Sequence, residues 1–201
     1  MANVDRPSGL SPVAYLNGAK YTGGGRMYCI LDTEDTNVYA VGDPVVLAGD
    51  ADTNGVASVT LATAGGANLV TGAIIGISAI KYGGGYFNPS NLDTSVVPAT
   101  KTRNYYLLVA DDPNIIFEIQ EVSGGTALTS AAVGLNASLV AGTNNGYMSG
   151  WEVDNSTEAA TAALQLKLLG LVQRSDNAFG EHAKWLVLLN NHSYRTGVAG
   201  A

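Results

Sequence analysis

The stretch GDADTNG is the part of this sequence whose residue types and spacing most directly suggest chemistry. Asp50, Asp52, Asn54 and Gly55 match the opening of the D-x-[DN]-x-[DN]-G loop, whose side-chain oxygens surround a calcium ion. That loop requires a bidentate glutamate at its twelfth position, and the twelfth residue counted from Asp50 is Leu61. A metal site formed by Asp50, Asp52 and Asn54 would therefore lack its main carboxylate.

A hairpin turn explains the same residues better, and we favour this interpretation. Asn54-Gly55 is a preferred turn pair between the apolar runs VVLAG and VASVTL. Aspartate side chains in such turns accept hydrogen bonds from nearby backbone amides. We therefore expect no cofactor.

Arrangements of catalytic residues are missing from the sequence. His182 and His192 are the only 2 histidines, and neither lies in an H-x-x-x-H or H-x-E pattern. The neighbours Asp111 and Asp112 would point to opposite faces of a strand, and DDPN is typical of a turn. Glu121 fits a solvent-facing strand position. We do not expect an enzyme.

The composition favours a protein that packs against other proteins. Charged residues make up 13% of the 201 residues, against about 25% in ordinary domains. Such a surface costs little to cover, because few charges have to be desolvated. A net charge of −7 without a basic cluster argues against nucleic acid as a partner. No apolar run reaches the ~18 residues that a membrane span needs, and the single Cys29 suits assembly in a reducing cytoplasm.

The distribution of residues along the chain predicts an all-β protein. Short runs rich in β-branched and aromatic residues alternate with Gly, Asn, Asp and Pro. The segment NSTEAATAALQLKLLG is ambiguous. Asn155 and Glu158 could form a helix capping box, whereas Leu164, Leu166 and Leu168 alternate with polar residues as in a strand.

An internal repeat resolves this ambiguity. VGDPVVLAG resembles VGLNASLVAG, LVTGAIIGI resembles LQLKLLGLV, and YYLLVADDPN resembles KWLVLLNNHS, which places Tyr106 opposite Trp185. We therefore predict a strand over 164–172, and an inserted loop over 81–104. Two similar halves, neither able to bury its own face alone, predict a single β-barrel or jelly-roll-like β-sandwich over residues 26–193.

The two ends of the chain have a different character. Residues 1–25 are predicted to form an extended arm without a regular strand, because Pro7, Pro12 and a triple glycine interrupt it. Residues 194–201 are predicted to be a flexible tail. Tyrosine is enriched at protein interfaces, although here it could also simply cover the ends of a barrel. The predicted interface residues, in the arm and the inserted loop, are Leu10, Val13, Tyr15, Leu16, Tyr21, Tyr82, Tyr86 and Phe87.

The whole layout resembles the head structural proteins of tailed bacteriophages, and within them the capsid cement or decoration proteins. The resemblance rests on the start MANVDRPSG, on GDPVVLAG and LLVADDPNIIFEIQE, and on LKLLGLVQRSDNAFGEHAKWLVLLNNH. It implies a β-barrel or sandwich on the outside of the capsid, bound to the major capsid protein and to copies of itself, more often as a trimer than a dimer. It implies assembly in the bacterial cytoplasm and brings no active-site residues.

A second function class remains open. A module of a tail or fibre that binds carbohydrate or another virion protein would also be all-β with exposed aromatic residues. It would need acidic and aromatic side chains that converge on one cleft, which a sequence alone does not reveal.

Overall fold

The computed structural model describes residues 3–78, 95–195, 197 and 200. Regular structure in this part of the chain is β-strand throughout, apart from one short 3-10 helix at Ser130–Ala132. Within the same residues, no helix has the length and apolar character needed to cross a bilayer. The prediction of an all-β fold is confirmed.

The first half of the chain forms a closed five-stranded barrel. Its strands neighbour one another in the order β2-β8-β6-β4-β5, and β2 pairs in parallel with β5 to close the barrel. A two-stranded ribbon, β3 with β7, lies beside it. The bounds are β2 Arg26–Ile30, β3 Tyr39–Ala40, β4 Pro44–Ala51, β5 Ala57–Leu61, β6 Gly72–Ser78, β7 Val96–Val97 and β8 Tyr105–Ala110.

The second half forms a six-stranded sheet that also contains the strand β1 from the N-terminal segment. The strand order is β1-β9-β13-β12-β10-β11. This sheet is curled, as shown by the parallel bridge between Glu121, just after β9, and Val153 of β11. The bounds are β1 Ser11–Tyr15, β9 Ile115–Gln120, β10 Asn136–Val140, β11 Glu152–Ala159, β12 Leu166–Leu171 and β13 Lys184–Leu189.

The two halves share one topology, which agrees with the repeat in the sequence. The order β2-β8-β6-β4-β5 corresponds strand for strand to β9-β13-β12-β10-β11. Each half has a bulge at the corresponding place, between Ile74 and Gly76 in β6 and between Leu168 and Gly170 in β12. A bulge adds one residue to one strand of a pair and increases its bend. The repeat therefore preserves a specific distortion as well as the strand order.

The pairing also tests the finer details of the sequence alignment. The predicted strand over 164–172 is present as β12, while Asn155 and Glu158 lie in β11 and cap no helix. The placement of Tyr106 opposite Trp185 is wrong by one residue. Val109 pairs with Ile74 and Val187 with Leu168, so Trp185 corresponds to Leu107.

The apolar core is divided between the halves. One buried cluster fills the barrel and draws only on the first half, with Tyr28, Ile74 and Leu107 among its members. The other lies against the six-stranded sheet and includes Ala62 and Val70 from the first half. The expectation that neither half encloses a core alone is therefore wrong for the first half.

The expectation that Glu121 faces solvent is wrong, because its side chain is fully buried. It lies where the second sheet closes, so the alternation along β9 no longer applies. Its carboxylate accepts hydrogen bonds from Trp185 Nε1 at 2.9 Å and from the Leu128 amide at 2.7 Å. Burial raises the pKa of Glu121.

Candidate functional site

The N-terminal arm folds back onto its own chain, and the prediction that it contains no strand is wrong. Strand β1 pairs antiparallel with β9 at the edge of the second sheet, with Pro12 opposite Phe117. Leu10 is fully buried, and its amide donates to the Gly42 carbonyl at 2.9 Å. Leu10 is thus a core residue of its own chain, without surface available to a partner.

Four other predicted interface residues lie together at the tip of the arm. Val13 and Leu16 are 37% and 54% exposed. Tyr15 and Tyr21 are half-buried against the core, with ring centroids 5.9 Å apart. The chain turns back after Leu16, so that the Tyr21 amide donates to the Val13 carbonyl at 3.2 Å. This turn covers the outer edge of β1, as exposed sheet edges require.

The remaining predicted interface residues, Tyr82, Tyr86 and Phe87, lie outside the described residues. Of the predicted inserted loop, only residues 95–104 are described, and they contain β7.

The stretch around Asp52 is a turn in which the aspartate carboxylate accepts hydrogen bonds from backbone amides. Asp52 Oδ1 accepts hydrogen bonds from the amides of Asn54 and Val56, each at 2.8 Å. Asp52 Oδ2 accepts one from the Tyr106 hydroxyl at 3.0 Å. Although burial alone would raise the pKa of Asp52, the Val56 and Asn54 amides lower it to about 2. Both carboxylate oxygens therefore contact protein donors, as the turn interpretation of Asp50, Asp52 and Asn54 requires.

A cleft of about 620 Å³ lies where the arm, the barrel, the β8–β9 connection and the C-terminal segment meet. We call it the junction cleft. Ligand sites often occupy such boundaries between structural units. The residues that line it are Tyr15, Gly24, Gly25, Arg26, Asp111, Asp112, Pro113, Asn114, Ile115 and Tyr194.

Arg26 is a charged residue in the lining of the junction cleft. Its Nε lies 3.3 Å from Asp111 Oδ2, and its guanidinium lies 5.5 Å from the ring centroid of Tyr194. The Arg26 side chain is 65% exposed, so this ion pair contributes little to stability. The charge of Asp111 raises the pKa of Arg26. Arg26 is therefore held in place while much of its surface remains open to the cleft.

Buried side chains bind the two partners of Arg26, Asp111 and Tyr194. The Tyr28 hydroxyl, inside the barrel, donates to Asp111 Oδ2 at 2.7 Å and lies 3.0 Å from the Tyr194 hydroxyl. Burial, and next the bond to Asp111, raises the pKa of Tyr28. The Tyr194 amide donates to Nδ1 of the buried His192 at 3.0 Å. Polar groups at the wall of a cleft keep a fixed geometry when a second layer of bonds holds them.

The β8–β9 turn also lines the junction cleft. Asp112 Oδ1 accepts hydrogen bonds from the amide and the side chain of Asn114, at 2.8 and 3.1 Å. The Asn114 carbonyl accepts the Leu16 amide at 2.8 Å, which ties this turn to the arm. A second depression of about 400 Å³ continues from the cleft and shares Tyr15, Asp112 and Asn114 with it. The cleft and this depression are therefore adjacent, and we call the two together the groove.

A second cluster of titratable groups joins the N-terminus to the second sheet. Ligand-type atoms of Asp5, Glu152 and His182 lie within 4.8 Å of one another. The Gln120 side-chain amide lies between them and donates to Asp5 Oδ1 and Glu152 Oε1, each at 2.9 Å. Burial, and also the nearby charge of Asp5, raises the pKa of Glu152. Because the amide group fills the centre, we interpret the cluster as a hydrogen-bond network that anchors the N-terminal residues.

Sequence reasoning missed most of the junction cleft. The interpretation of Asp111 and Asp112 as turn residues is correct for the backbone but incomplete for the side chains. Tyr194 belongs to the predicted flexible tail, yet it contacts His192 and Tyr28. The sequence does show aromatic and acidic residues near these positions. Their grouping at one site becomes visible only when the strands bring the segments together.

A comparison with protein-family models, with curated proteins and with solved structures found no match.

Proposed function

We propose that this protein is a structural protein of a bacteriophage virion, a capsid cement or decoration protein on the outside of the head. It binds the major capsid protein and copies of itself, with a trimer as the favoured assembly, after synthesis in the bacterial cytoplasm. The resemblance in sequence suggests this class. The observation that carries the proposal is the tip of the arm, where Val13 and Leu16 stay exposed although the arm, tip included, is fixed to the body.

The position of this tip suits attachment to a neighbouring protein. Exposed apolar side chains bury their area only on contact with a partner, at roughly 25 cal/mol per Å² of apolar surface. Because hydrogen bonds to Ala19 and Asn114 hold the tip, binding would require little ordering of the chain. The charge-poor composition reduces the desolvation cost of covering the surrounding surface.

Co-sedimentation with phage heads that lack the protein tests this proposal. Wild-type protein should bind to saturation at a fixed small-integer ratio to the major capsid protein. Leu16→Asp should weaken binding by about tenfold or more, because a carboxylate would have to be desolvated in the contact. Val133→Asp is the matched control, since Val133 is 44% exposed and lies outside the arm.

Deletion of residues 1–24 is not a suitable test, because it would remove the buried Leu10 and strand β1. Heads that bind no wild-type protein would refute the proposal. Equal binding of Leu16→Asp and wild type would show that the arm tip is not the contact surface.

A further inference from the structure

The junction cleft combines features that select a particular class of ligand. Two aromatic side chains, Tyr15 and Tyr194, lie in its lining, and Tyr194 is 45% exposed. The guanidinium of Arg26 and the carboxylate of Asp112 also line it. Tyrosine rings offer apolar faces, while the charged groups offer hydrogen-bond donors and acceptors respectively.

The charges in the junction cleft disfavour an anionic ligand. The guanidinium of Arg26 stands against two carboxylates, those of Asp111 and Asp112, and is already paired with Asp111. A phosphate, sulfate or carboxylate ligand would therefore meet more negative than positive charge. A cationic ligand would meet the exposed guanidinium of Arg26, while Asp111 is paired with that guanidinium. Asp112 already accepts two hydrogen bonds from Asn114. A neutral ligand whose groups both donate and accept hydrogen bonds avoids both conflicts, and sugar hydroxyls are groups of this kind.

The size of the site favours a chain of sugars over a single small molecule. The junction cleft and the adjoining depression measure about 620 and 400 Å³ and share Tyr15, Asp112 and Asn114. Gly24 lies close to this surface, since a Cβ placed on it would come within 3.6 Å of the Tyr15 hydroxyl. The missing side chain leaves the Tyr15 side of the groove open to a ligand.

We propose that the junction cleft binds a neutral oligosaccharide, with Tyr15 and the exposed part of the Tyr194 ring in apolar contact with sugar rings, and Arg26 and Asp112 bonded to hydroxyl groups. Fixation of Arg26 and Tyr194 by Asp111, Tyr28 and His192 keeps these contacts in place before the ligand arrives. Such preorganisation reduces the entropy lost on binding. This inference does not rest on the virion proposal; because Leu16 also lines the adjoining depression, it concerns the protein before a partner covers that surface.

Binding of defined neutral oligosaccharides to the full chain tests the inference. The probes are maltohexaose, cellohexaose, laminarihexaose and chitohexaose, measured by titration calorimetry and saturation-transfer NMR, with an array of neutral and anionic bacterial glycans. At least one neutral glycan should bind. Tyr194→Ala and Arg26→Ala should each weaken that binding by about tenfold, the equivalent of one lost contact of roughly 1.4 kcal/mol.

Two controls separate the site from general effects. Tyr147→Ala removes a 69% exposed tyrosine that does not line the cleft, and its affinity should equal that of wild type. Tyr194→Phe keeps the ring and should retain most of the affinity, and unchanged thermal unfolding would show that each variant is folded. The inference is overturned if no neutral glycan binds, if anionic glycans bind more tightly, or if the cleft variants bind like wild type.

Discussion

Replacement of Gly42 by alanine tests whether close backbone contact fixes the arm to the barrel. Gly42 has a φ of +94°, and its carbonyl accepts the amide of Leu10 at 2.9 Å. A Cβ at this position would overlap the carbonyl oxygen of Ser8. The arm would therefore have to move away from the barrel, and the burial of Leu10 depends on the arm.

The matched control is Gly49→Ala. Gly49 has a similar φ of +90°, but a Cβ there would meet no atom within 4 Å. This control bears only the cost of a left-handed conformation, about 1–2 kcal/mol. Gly42→Ala bears the same cost plus the loss of Leu10 packing, which is about 2–5 kcal/mol for a buried leucine. The expected difference between the variants is thus roughly 2–5 kcal/mol.

Urea denaturation measures this difference, and hydrogen exchange of amides 8–16 locates it. In thermal melts, each kcal/mol of this difference corresponds to about 2–4 °C in melting temperature for a chain of this size. Gly42→Ala should also exchange faster in the arm, whereas Gly49→Ala should not. Equal stability of the two variants, with an unchanged arm, would refute the reasoning.

Three further outcomes follow from buried side chains. Leu10→Ala should cost about 2–5 kcal/mol, whereas Leu16→Ala should stay within about 0.5 kcal/mol, as measured by denaturation. Asp52 has a depressed pKa of about 2, so the stability of wild type over Asp52→Asn should be present above the unfolded pKa of ~3.9 and decline towards pH 2; a pH-independent difference would contradict this. Burial raises the pKa of Glu121 from 4.5. The stability of wild type relative to Glu121→Gln should therefore fall as the pH rises above about 4.5 in pH-dependent melts. A rise would show that the hydrogen bonds to the carboxylate affect its pKa more than burial does.

The strands and the repeat could be predicted because they depend on local patterns. Gly76 and Gly170 occupy the same bulge in each half, so the repeat of the fold is visible in the residues themselves. The one-residue error at Trp185 arose because similarity of residue types does not fix register. Register depends on which backbone groups pair, and a shift of one residue reverses the side chains of a strand.

The strand in the arm could not be predicted, because Pro12 normally argues against a strand. The structure accommodates this proline because β1 lies at the edge of the sheet and its pairing with β9 shifts between Pro12 and Ala14. Edges and bulges are the places where a sheet tolerates a missing amide proton. Whether a strand lies at an edge is a property of the complete sheet, which no local pattern contains.

The junction cleft was unpredictable for a related reason. Arg26 and Asp111 are 85 positions apart (111 − 26), and Tyr28 and Tyr194 are 166 apart. Each residue has an ordinary local explanation as a strand end, a turn or a tail. Only the closure of the barrel and the return of the C-terminal segment bring these side chains to one surface.

The division of the core has a consequence for the order in which the protein folds. The barrel over residues 26–110 closes with a core of its own, whereas the second core needs Ala62 and Val70 from the first half. We therefore expect the barrel to form first during synthesis and to serve as a template for the second sheet. Strand β1 is made first but pairs with Ile115–Glu118, so it has to wait for most of the chain. Pulse-labelled hydrogen exchange during refolding should show amides of β8 protected before those of β1; simultaneous protection would contradict this order.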